Sequence, residues 1–205
     1  ALPKLRERID AGLAERGLVK DRVCSCAIRL LDLGLFRVGS ERYENENESY
    51  GLTTIKRKHL TIERGVATFD YPGKSGKRGH QVIADPSVIP VLKALKQRRQ
   101  APKLTHLLVY REGREWRDLD ADDVNAFIKE VAGDGFSAKD FRTWNATVLA
   151  AVFLAADEEE PTTRAASKRI VNRAIKTTAT YLNNTPAVCR ASYIDPRVFD
   201  RYADG

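Results

Sequence analysis

Three features of the chain predict an α+β fold, mainly α, with one small three-stranded antiparallel sheet. Apolar residues recur at helical spacing over most of its length. Between about residues 52 and 83 that spacing gives way to short β-type runs separated by glycine-rich turns. After Pro86 the helical period returns and stays.

Taken in order, PKLRERIDAGLAER (3–16) and KDRVCSCAIRLLDLG (20–34) each read as a helix, with Gly17 and Gly34 as stops. FRVGSERYENENESYG is a polar loop. The runs LTTI, HLTIE, VATFDYP and HQVIA supply the strands, and PGKSGKRG forms the tip of the last hairpin. SVIPVLKALKQRR is a helix. DLDADDVNAFIKEVAG is the next, and its acidic opening suits both an N-cap and the helix dipole. SAKDFRTWNATVLAAVFLAA is long and apolar enough to be expected at the centre of the core. PTTRAASKRIVNRAIKTTATYL carries proline in its first turn, and DPRVFDRYADG reads as a short closing helix. Neither an internal repeat nor a linker is visible, so residues 1–205 are expected to form a single domain.

A composition of 42% hydrophobic and 31% charged residues is that of an ordinary globular chain and excludes a disordered or low-complexity one. No apolar run approaches the ~20 residues that cross a bilayer, and no membrane association is expected. The three cysteines, Cys24, Cys26 and Cys189, form no disulfide framework and suit a reducing cytoplasm. A net charge of +7, dispersed along folded-looking segments, favours a polyanionic partner, nucleic acid before membrane. The chain contains no methionine, even at position 1, and is expected to be either processed or a piece cut from a longer protein.

Metal and nucleotide sites find little support. His59, His80 and His106 share no ligand spacing, and Cys24-Ser-Cys26 has no second pair. DLDADD is explained by helix capping, and GKSGK lies between strands without the earlier glycine of a phosphate-binding loop. What remains is a set of basic residues at element ends: Arg37, Lys74 at the hairpin tip, and Arg142 in the first turns of the most apolar helix. Each can be a solvated charge. Arg142 is the least ordinary, because beside Phe141 and Trp144 it would be desolvated and would need an anionic partner. Tyr193 ends NNTPAVCRASY, either as a half-buried ring or as a phenol presented to a reaction.

Together FRVGSERYENENESYGLTTIKRKHL, PGKSGK, KDFRTW and NNTPAVCRASY resemble the ordered motifs of the type IB DNA topoisomerases, most of all the compact poxvirus-like and bacterial branch. The resemblance runs from about residue 20 to the C-terminus. It implies the helical catalytic fold shared with tyrosine recombinases. Tyr193 would be the nucleophile that becomes linked to a DNA 3′-phosphate. Arg37 and Arg142 would clamp the non-bridging oxygens, and Lys74 would protonate the 5′-oxygen leaving group. Asn184, nine residues before the tyrosine, falls where viral members carry histidine, and it can donate a neutral hydrogen bond there. Tyr43 and Lys139 fall at DNA-contacting positions. Ser40 replaces a lysine that viral members use in reading sequence, so contacts to phosphate should dominate.

The chemistry is consistent with those roles. Attack on a phosphodiester concentrates negative charge, which guanidiniums meet bidentately at any working pH. A phosphotyrosyl bond conserves the energy of the broken one, so the resemblance implies neither cofactor, metal nor ATP. The expected partner is double-stranded DNA, the expected state a monomer, and the expected location the cytoplasm, at the nucleoid. The β-rich N-terminal clamp domain of full-length relatives has no counterpart in this sequence. Two other readings stay open. A tyrosine recombinase would share the fold, although Lys139-Asp140-Phe141-Arg142 stands where its His-x-x-Arg motif belongs. A non-catalytic basic DNA-binding module would leave Tyr193 as a core ring.

Overall fold

The computed structural model describes residues 1–39, 44, 48–99, 101–159 and 162–203. The chain divides into two compact units, Ala1–Ala138 and Lys139–Gly205. The architecture is mainly helical with a small antiparallel sheet, as the periodicity predicts.

In the first unit, α1 (Leu2–Leu13) packs on α2 (Lys20–Gly34). Pro3 sits in the first turn of α1, where a missing N–H leaves no helical bond unmade. Gly12 permits the close approach of the two helices, because a Cβ there would collide with Ser25. α2 is buried along most of its length, including Val23, Ile28, Leu30 and Leu31. Cys24 and Cys26 lie within it as free thiols, and burial pushes each up to about 12. Leu35, in the left-handed region at φ 55°, turns the chain out of α2.

The sheet follows as β1 (Leu60–Glu63), β2 (Val66–Pro72) and β3 (Arg78–Ile83), antiparallel in that order. Arg64 and Gly65, at φ 48° and 82°, make the two-residue turn whose twist suits a β1–β2 hairpin. Strand alternation sends Ala67, Phe69 and Tyr71 inward, where Phe36 meets Phe69 edge-on at 5.0 Å. α3 (Ile89–Gln97) covers β1 and β2 with Leu92 and Leu95 buried.

Two expectations fail in this region. LTTI is not a strand: Leu52–Thr54 is a 3₁₀ turn. The Gly51 N–H donates to Thr54 Oγ1 at 3.0 Å, so a local side-chain bond displaces the ladder that β-branched residues would favour. Residues 101–117, which carry no predicted element, contain most of a second hairpin, β4 (Val109–Glu112) with β5 (Glu115–Asp118). α4 (Ala121–Ala132) then begins as its acidic opening predicts, with the Asp120 carboxylate accepting the Asp123 N–H at 2.7 Å.

The second unit contains α5 (Ala138–Ala155), which starts at the boundary, α6 (Arg164–Tyr181), α7 (Pro186–Ser192) and α8 (Arg197–Ala203). Pro161, expected in the first turn of α6, lies outside the described residues. Thr163 caps that helix instead, its side chain accepting the Ala166 N–H at 3.1 Å. Leu154 of α5 packs with Ile170 and Ala174 of α6 and Val198, Phe199 and Tyr202 of α8. α5 is less central than its composition suggests. It buries Phe141, Ala146, Ala150 and Leu154, whereas Trp144, Val148 and Val152 form an exposed i, i+4, i+8 stripe. Mean apolarity is blind to which side of a helix is covered.

Candidate active site

In the first unit, Arg37 follows α2 and is held by backbone pairing with the segment that starts at Gly51. Its carbonyl accepts the Leu52 N–H at 2.8 Å. The next carbonyl, of Val38, accepts the Thr53 N–H at 2.8 Å and the Thr53 hydroxyl at 3.0 Å. A Cβ on Gly51 would meet the backbone of Gly39 and lie 3.0 Å from the Arg37 carbonyl oxygen, so glycine allows the two segments to touch. Lys74 lies exposed at the β2–β3 tip, in the 3₁₀ turn Lys74–Gly76. Arg37 and Lys74 line one cavity of about 200 Å³, together with Tyr50 and Gly51. The Tyr50 N–H donates to the Pro72 carbonyl at 2.9 Å, which ties the loop to the foot of the hairpin.

A charged cluster lies beside this loop. Glu44 pairs with Lys56 Nζ at 3.0 Å and with His106 Nε2 at 2.9 Å. His106 Nδ1 lies 3.2 Å from Asp118 on β5. Pairing with Asp118 raises the pKa of His106 above its ordinary value; burial opposes the shift and Glu44 adds to it. The Lys56 ammonium lies 5.1 Å from the Tyr50 ring centroid. Sequence reading treated His106 as isolated because both its carboxylate partners are remote in the chain.

In the second unit, α5, the α6–α7 turn and the end of α7 are brought together by Arg142. This side chain is only 5% exposed. Its guanidinium donates to the Leu182 carbonyl at 2.8 Å and lies 5.2 Å from the Tyr193 ring centroid. Arg142 is therefore buried as expected, with Phe141 buried and Trp144 about half exposed. Leu182 immediately precedes Asn183 and Asn184, where the helix breaks: Asn183 takes φ 52° and the Asn184 N–H returns to the Ala179 carbonyl at 2.9 Å. Pro186 stands in the first turn of the next helix, where its missing N–H leaves no helical bond unmade. It opens α7, with Thr185 as N-cap accepting the Val188 N–H at 3.3 Å.

Tyr193 is the C-cap of α7 and is half-buried. Arg142 thus joins Tyr193 to the turn that carries Asn184. Lys139 is exposed in the first turn of α5. Tyr43 and Ser40 lie outside the described residues. One further contact escaped the sequence reading: Thr147 on α5 lies 3.4 Å from the Tyr193 carbonyl and accepts the Asp195 N–H at 3.1 Å. A threonine inside a helix signals a back-bond to its own helix, but not a partner elsewhere in the chain.

Residues 1–204 match the family described as "Eukaryotic DNA topoisomerase I, catalytic core", and the chain belongs to that family. It is 32% identical over 178 residues to "DNA topoisomerase 1B" of Acanthamoeba polyphaga mimivirus, a match covering 85% of this chain and 53% of the relative. It is 29% identical to "DNA topoisomerase 1" of Schizosaccharomyces pombe, over 84% of this chain and 20% of that protein. To "DNA topoisomerase 1B" of vaccinia virus it is 24% identical, over 82% of this chain and 50% of that protein. The chain thus spans about half the length of these viral relatives and a fifth of the yeast one. A solved structure of the XerH site-specific recombinase, bound to palindromic difH substrate in a post-cleavage complex, has the same fold. Its TM-score is 0.59 at 18% identity, covering 99% of this chain and 50% of that one.

Proposed function

We propose that this chain nicks and reseals one strand of duplex DNA through a 3′-phosphotyrosyl intermediate, relaxing supercoils. Tyr193 Oη gives up its proton to water and attacks the scissile phosphorus, forming the O–P bond as the bond to the 5′-oxygen breaks. Lys74 gives its proton to the departing 5′-oxygen. Arg142 and Arg37 meet the charge that grows on the non-bridging oxygens, and Asn184 adds a neutral donor. Resealing is the reverse: the 5′-hydroxyl attacks the phosphotyrosine and Tyr193 leaves. Because the phosphodiester energy is held in that bond, the cycle needs no ATP.

The observation that carries this reading is the placement of Arg142, buried with its guanidinium against the Tyr193 ring in a chain of this family. A buried cation beside a half-buried phenol is suited to meet an anion brought to that phenol. Relaxation of supercoiled plasmid in EDTA without ATP, run beside Tyr193→Phe, tests it. Relaxation with a 3′-linked protein–DNA adduct is expected from the wild type, and neither from the variant. Binding to DNA with no adduct from the wild type would reject it.

A further inference from the structure

We infer that Thr147 is a positioning residue for strand transfer, fixing the backbone that carries Tyr193 while Arg142 holds the ring; this rests on reading Tyr193 as the nucleophile. α7 ends at Ser192 and α8 begins at Arg197, so Tyr193 opens a short link between two short helices. The first amides of that link have a local acceptor. Both the Tyr193 and the Ile194 N–H donate to the Cys189 carbonyl, at 3.1 and 3.2 Å. The next amide, of Asp195, donates instead to Thr147 Oγ1 at 3.1 Å. That hydroxyl donates to the Thr143 carbonyl at 2.8 Å, one turn back on α5, and the Tyr193 carbonyl lies 3.4 Å away. The back-bond sets the rotamer, and the set rotamer aims the oxygen at the link.

α5 therefore holds the nucleophile twice. Arg142 meets the ring and Thr147 meets the backbone behind it. Tyr193 caps a seven-residue helix, so the backbone just after it bears directly on where the phenol stands. A displacement of about 1 Å at a reacting atom can cost about a hundredfold in rate.

Thr147→Val keeps the shape and removes the hydroxyl, and Thr147→Ser keeps the hydroxyl. Three quantities decide the matter: single-turnover adduct formation at saturating duplex, duplex Kd, and exchange of the Asp195 amide. Thr147→Val is expected to slow adduct formation about 10- to 100-fold with unchanged Kd. Its Asp195 amide should exchange about 3- to 10-fold faster, and Thr147→Ser should restore both. A wild-type adduct rate in Thr147→Val overturns the inference alone, as does an equal loss in both variants. Absence of any adduct from the wild-type chain would overturn the reading of Tyr193 and this inference with it.

Discussion

Arg142 combines three roles in one planar group: it occupies buried volume, donates to the Leu182 carbonyl at 2.8 Å and covers the Tyr193 ring. Lysine has the charge but neither the plane nor the fork of donors. Arg142→Lys is therefore expected to slow single-turnover cleavage by about a hundredfold or more, as loss of a donor to a developing oxyanion does. A cleavage rate within threefold of wild type would show that point charge alone suffices. The burial of Arg142 was legible in the sequence from its place in the first turns of an apolar helix, whereas Arg37 and Lys74 were singled out only by the motifs they share with a family, since each can equally be a solvated charge. Thr147 was not legible. Its partner is 48 residues away, and nothing in a threonine's neighbours announces which distant amide it will accept.

Among the elements, helix ends were read well where a cap makes them. The acidic opening at Asp120 and the stop at Gly34 stand within a residue of observed boundaries, whereas the expected stop at Gly17 lies past the end of α1 at Leu13. Strands were read well where alternation and turn chemistry agree, as from HLTIE through HQVIA. They failed where a threonine hydroxyl satisfied the backbone locally, and where β4–β5 lay in a charged segment with little alternation. That second hairpin matters because Asp118 at its end holds His106, which also pairs with Glu44 next to Lys56. The pKa of His106 is raised, so the folded state holds the proton more tightly than the unfolded chain. Its contribution to stability is fully present below the ordinary histidine value near ~6.5 and is lost as pH rises through the folded value. The thermal midpoint of wild type should exceed that of His106→Asn at acidic pH, and the gap should narrow as pH rises. A gap constant from about pH 6 to 9 would mean that the imidazole acts by packing alone.

At the scale of the whole molecule, the net charge of +7 is the property the sequence reports most directly and the fold least alters. If phosphates are the main contacts, duplex affinity should fall at least about a hundredfold between roughly 50 and 200 mM salt. A loss under tenfold by fluorescence anisotropy would point to base contacts in place of phosphate contacts. The three cysteines bear on how such measurements can be made. All are buried, and burial pushes each thiol above its ordinary value. A maleimide dye attacks thiolates, so the native side chains should stay unlabelled under brief treatment at neutral pH. One cysteine introduced at the exposed Lys77, beside the Lys74 turn, would then be the sole reactive thiol. The protein is in effect already a cysteine-light scaffold for single-molecule fluorescence, with its hairpin ready to carry the reporter.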